Sequence, residues 1–150
     1  MSGYQRKMYK KYSDAVVVPR EKTQSNHLFF ISSDDSEAEF PNNRGARFTY
    51  ELPSFLLGVE TISLMEFYAE TFLEPLYVFC DTAKASHVKN TLFPVLRIVN
   101  AIGEVGNEYA IDSTRSDVIR MTFEIRDLNL EFPQYDLGTV RLVLRITTTN

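Results

Sequence analysis

The sequence predicts an all-β protein: an eight-stranded antiparallel jelly-roll sandwich of two four-stranded sheets, preceded by an extended N-terminal arm. Three observations predict it. Residues 117–147 contain two runs in which apolar and polar positions alternate. Eight strand-like segments recur along the 150 residues with no long amphipathic helix between them. Eleven Phe and eight Tyr, with many Val and Ile, favour pleated over helical backbone.

The alternation is clearest near the carboxyl end. Ile119, Met121, Phe123 and Ile125 interleave with Arg120, Thr122, Glu124 and Arg126. Val140, Leu142, Leu144 and Ile146 interleave with Arg141, Val143, Arg145 and Thr147. A period of two means one face on a core and one largely on water. The intervening residues 127–138 are too long for a two-residue turn, so the two strands are expected in different sheets of a sandwich.

A chain of 150 residues fits one domain and buries roughly 68–70% of its unfolded surface. Cys80 is the single cysteine, so no intrachain disulfide forms and a reducing compartment suits the chain. No apolar run approaches the roughly 20 residues of a spanning helix. The polar N-terminus and the lack of Asn-x-Ser/Thr lead us to expect a protein that is not secreted.

Charge is unevenly spread. Residues 1–24 hold six basic and two acidic groups, whereas the rest holds ten basic and eighteen acidic. This divides the chain into a flexible basic arm, 1–24, and a single jelly-roll domain, 25–150. The arm carries Arg6, Lys7, Lys10 and Lys11 among Tyr4, Tyr9 and Tyr12, and then Val16-Val-Val-Pro19. It has too few apolar residues for a core, so ordering is expected from a partner: a neighbouring subunit, or nucleic acid through its scattered cations.

The elements follow in order. The first strand is 27–31. The acidic loop 32–39 lacks calcium-loop spacing and reads as solvated. The next strand, 47–52, puts Phe48, Tyr50 and Leu52 on one face and ends at Pro53. In the third, 59–68, Ile62 and Leu64 suit one face while Met65 and Phe67 suit the other, so a bulge or double covering is expected. The strand 76–81 is apolar on both faces, so it is central or lines a subunit contact. Residues 82–90 are polar and suit one helical turn or a loop. Strands at 93–99 and 108–111 precede the final pair. A seven-stranded immunoglobulin-like sandwich is the alternative, with shorter turns than 127–138 allows.

The pattern yields no catalytic, cofactor-binding or metal residues. Cys80 sits in an apolar strand without a basic neighbour, so a dyad with His87 is disfavoured. Zinc needs three or four local N or S ligands, and the chain holds only Cys80, His27 and His87. No Gly-rich phosphate loop or nucleophile elbow is present. Glu60, Glu66, Glu70 and Glu74 read as exposed positions. The outward rows say more. Arg141 and Arg145, and Arg120 and Arg126, are either solvated strand faces with cross-strand partners or charge that sets register between copies of one subunit. Tyr77, Phe79, Leu128, Leu130 and Phe132 are the candidate buried part of such a contact.

Two segments, Glu124-Ile-Arg-Asp-Leu-Asn-Leu-Glu-Phe-Pro and Gly138-Thr-Val-Arg-Leu-Val-Leu, resemble the closing strands of single-jelly-roll penton proteins. These are minor capsid proteins of the Maverick/Polinton, adintovirus and virophage group. Gly58-Val-Glu-Thr-Ile-Ser-Leu-Met-Glu-Phe, Pro75-Leu-Tyr-Val-Phe-Cys-Asp-Thr and Leu96-Arg-Ile-Val fit its middle strands, so the likeness covers roughly 45–147. The chain departs in having no room for an inserted domain, and no receptor-binding tower is expected. The resemblance implies a structural viral protein: a homopentamer at each five-fold vertex of an icosahedral shell, surrounded by a major capsid protein. The basic arm would reach a neighbour, the inner shell or the genome. The protein would reside in the virion after assembly in the host cytoplasm or nucleus. A different class remains beside it, a lectin-like or trimeric ligand-like sandwich with a concave binding site.

Overall fold

The computed structural model describes residues 23–149. Every regular element among them is a strand: β1 (Gln24–Ser32), β2 (Arg47–Leu56), β3 (Val59–Ala69), β4 (Leu76–Cys80), β5 (Ser86–Val88), β6 (Thr91–Phe93), β7 (Val95–Val99), β8 (Gly103–Glu104), β9 (Ile111–Asp112), β10 (Val118–Arg126) and β11 (Val140–Thr149). One sheet runs β1-β11-β3-β8, with β9 also paired to β3. The other runs β2-β10-β4-β7, and β5-β6 form a separate hairpin. All named pairings are antiparallel. The protein is thus an all-β antiparallel sandwich, and the two alternating runs lie in different sheets, as their long connection required.

The core is built by the predicted rows. Met121, Phe123 and Ile125 of β10 are buried, as are Val140, Leu142, Leu144 and Ile146 of β11. From the facing strands come Phe48, Leu52, Ile62, Leu64, Phe67, Leu76 and Val78. Each such side chain contributes about 1.5–3 kcal/mol by leaving water. Phe48 and Phe123 are register partners whose rings stack at 5.2 Å.

The parity switch in β3 is a bulge. Val143 pairs with Glu66 and Leu144 with Leu64, leaving Met65 as the extra residue. Ile62, Leu64 and Phe67 therefore all reach one core despite their odd spacing. β4 is an interior strand between β10 and β7; Leu76, Val78 and Cys80 face the core, and Phe79 on the other face packs against Phe93.

Six expectations need correction. Pro53 does not end β2, which runs to Leu56. The ladder with β10 slips between Val118 and Arg120, and such an irregularity accommodates a proline without a donor. The same slip buries Val118 in place of Ile119. Residues 82–90 hold no helical turn; β5 and β6 turn back through Lys89 and Asn90, at φ 48° and 64°. Two positive φ values suit a tight hairpin turn. The segment 93–99 divides at Pro94 into β6 and β7. The strand expected at 108–111 is instead Ile111–Asp112, paired to Thr61 and Ile62. At the other end, β1 begins at Gln24, inside the span assigned to the arm.

Candidate subunit interface

Of the seven predicted interface residues, Tyr77 and Phe79 lie on the outside of one sheet, Arg141 and Arg145 on the outside of the other, and Leu128, Leu130 and Phe132 in the connecting loop. On the outside of β2-β10-β4-β7, strand alternation points Arg47, Thr49 and Glu51 outward beside Arg120, Thr122 and Glu124. They meet in register as three successive rungs: Arg120 Nε with Glu51 at 3.2 Å, Thr49 Oγ1 with Thr122 Oγ1 at 2.9 Å, and Arg47 Nε with Glu124 at 3.3 Å. These exposed ion pairs contribute about 0–1 kcal/mol each. Arg120 is thus engaged within its own chain.

Tyr77 and Phe79 stand on this face, with ring centroids 6.0 Å apart. Phe79 is only 4% exposed, and Phe93 of β6 packs 5.7 Å from it. Tyr77 keeps part of its surface open. Alternation predicted the outward position of Phe79 but not its cover, because Phe93 was expected to continue into the strand 93–99 and instead folds back with β5.

The crossing 127–138 is a fixed loop. The Asp127 carboxylate accepts the Asn129 and Glu131 N–H groups at 2.8 and 3.1 Å, and the Leu130 N–H donates to the Asp127 carbonyl at 3.0 Å. Leu130 has φ 65°, and Arg126 Nη1 donates to its carbonyl at 3.0 Å. Phe132 lies between two guanidinium groups, Arg126 at 4.2 Å and Arg44 at 4.8 Å from the ring centroid. Leu137 anchors the far end in the core, and Leu128 stays exposed.

The second face is the outside of β1-β11-β3. Arg141 is exposed and forms no ion pair among the described residues, whereas Arg145 Nη1 binds Glu108 at 2.7 Å. Val143 lies between them, opposite Phe30. Phe30 is 72% exposed, Leu28 54% and Tyr68 41%, and all three went unpredicted as interface residues. The apolar run at 28–31 was the available signal, but nothing in it says which of its two faces meets the core. Tyr68 donates to Glu66 at 3.1 Å, and that carboxylate raises the phenol pKa. The predicted arm contacts Arg6, Lys7, Lys10 and Lys11 lie outside the described residues.

Burial pushes the Cys80 thiol up to about 12, which removes the thiolate a nucleophile needs. His27 bonds Thr148 Oγ1 at 3.1 Å, and His87 is exposed on β5. Among the described residues no three His, Cys, Asp or Glu side chains converge as a metal site, and no helix is long and apolar enough to cross a membrane. Fold and surfaces together define an antiparallel β-sandwich with an aromatic–arginine patch on one outer face and an apolar patch on the other. No family model and no curated protein matches the chain.

Proposed function

We propose that this chain is a penton-like structural capsid protein of the Maverick/Polinton, adintovirus and virophage kind. It forms homopentamers at the five-fold vertices of an icosahedral shell and contacts the major capsid protein there. The observation that carries the reading is the strand order. β8 and β9 lie along the same edge of β3 and count as one interrupted strand. The first strand then pairs with the eighth, the eighth with the third and the third with the sixth. The second pairs with the seventh, the seventh with the fourth and the fourth with the fifth. This nesting supports an eight-stranded jelly roll, a fold used by capsid proteins. Two unlike outer faces suit a ring, because a heterologous contact repeated five times uses one patch from each side of every subunit. The basic arm would face the shell interior or a neighbour, and the protein would reside in the virion.

Light scattering on the purified protein, alone and with the major shell protein, tests this. A pentameric mass or incorporation into shells is expected. A strict monomer that also stays out of shells rejects it.

A ligand-binding sandwich, lectin-like or trimeric ligand-like, is the second reading. The observation favouring it is an open groove lined by Arg97, Asn100, Glu104 and Tyr109, in which Arg97 stacks on Tyr109 at 4.6 Å. A thermal-shift screen with sugars separates the two: a melting temperature that rises with one ligand class favours binding.

A further inference from the structure

A sandwich exposes four sheet edges, and here three are blunted. β2 contains Pro53 and a slipped ladder. β7 has five residues, follows Pro94 and carries a register shift against β4. β8 and β9 have two residues each. Short strands, prolines and bulges are the devices by which sheets refuse an added strand.

β1 has none of them. Its nine residues contain no proline and no Lys, Arg, Asp or Glu. They pair with β11 at nine consecutive positions without a shift. Among the described residues no strand lies on its far side. Leu28 and Phe30, one alternate row of this edge, are its most exposed large apolar side chains. An open backbone edge selects an extended chain, and an uncharged edge with apolar alternate positions selects an uncharged, apolar one. The blunted edges of a second subunit do not supply it. A run of that chemistry stands in the sequence at Ala15-Val-Val-Val18, closed by Pro19.

We propose that a second copy of this chain adds an extended segment, with Ala15–Val18 as its apolar run, to the open edge of β1. The inference rests on the assembly reading above and names the contact that links one copy to the next. Around that run Lys10, Lys11, Arg20 and Lys22 outnumber Asp14 and Glu21, and at the groove beside Phe30 the carboxylates Asp35 and Glu66 outnumber Arg141, so the net charges are opposite.

Cysteine pairing in the full chain tests it. Val16→Cys and Val17→Cys are each combined with Leu28→Cys and with Phe30→Cys under mild oxidation. Cys80 is buried and does not compete. Disulfide-linked multimers on a non-reducing gel are expected from at least one pair. Amides at alternate positions of β1 should also exchange at least tenfold more slowly in the assembled wild-type protein than after dilution. A disulfide closed within a single chain, or none from any pair, overturns the proposal. Light scattering of the same variants in reducing buffer reads the ring separately. Pentamers without cross-linking leave the ring standing and remove the added strand, whereas a monomeric mass removes the ring itself.

Discussion

Arg126 lies over the ring of Phe132, its guanidinium carbon 4.2 Å from the centroid. The same guanidinium holds Glu124 at 3.2 Å and the Leu130 carbonyl at 3.0 Å. One side chain therefore ties the end of β10 to the crossing loop. Phe132→Leu keeps most of the apolar area but removes the π face. It should lower stability by about 0.5–1 kcal/mol, read as a lower urea midpoint at unchanged slope.

Phe48 and Phe123 stack inside the core, and either alanine variant should cost about 3–5 kcal/mol. The double variant should cost less than the sum, with a coupling of about 0.5–1.5 kcal/mol. A denaturant double-mutant cycle checks this. Strict additivity would mean that the rings contribute only area.

Gly58 adopts φ 68°, and a side chain there would run into the backbone carbonyl of Thr149. Its own carbonyl accepts the Thr149 N–H at 2.8 Å. Gly58→Ala should destabilise by at least about 1–3 kcal/mol. Gly103→Ala, at φ 105° with nothing nearby, bears backbone strain alone and should cost less. Thermal melts of the two variants give the ranking.

The Cys80 thiol, raised by burial from 9.0 to about 12, makes stability depend on pH. Below pH 9 both states hold the proton and nothing is lost. Above it the unfolded chain releases the proton first, so stability falls as pH climbs toward 12, at up to about 1.4 kcal/mol per unit. Urea titrations from pH 8 to 10.5 should show this slope, and Cys80→Ala should flatten it. A thiol reagent should label the native protein only at the rate of unfolding.

Arg141 is exposed without an ion pair among the described residues. Arg141→Glu should leave the subunit's stability within about 0.5 kcal/mol. If the outer face of β11 meets a neighbour, it should slow assembly in a salt-dependent way. Association followed by light scattering at two salt concentrations is the measurement.

The strands that alternate were legible. In β10 and β11 parity predicts burial except at Val118 and Ile119, where the ladder slips, and at Val143 on the outward row, and the odd spacing of Leu64 and Phe67 announced the bulge in β3. Phe29 and Phe30 were not separable, because both are apolar and only pairing with β11 decides which faces water. Pro53 misled, since proline ends a strand by local chemistry but is tolerated where the ladder slips. The β5–β6 turn at Lys89 and Asn90 lacks a glycine to mark it. Arg120 was open to a cross-strand partner or to a neighbouring copy, and Glu51 engages it from a strand some 70 positions away in the chain.

β1 closes against β11, so Gln24 meets Thr149 and Ser32 meets Arg141. During synthesis the earlier of these strands emerges more than a hundred residues before its mate. Local hairpins cannot shelter it meanwhile, and such long-range closure makes folding slow. For that interval Leu28, Phe29, Phe30 and Ile31 are bare on a nascent chain. Until β11 is available these residues form an unpaired apolar edge of the aggregation-prone kind.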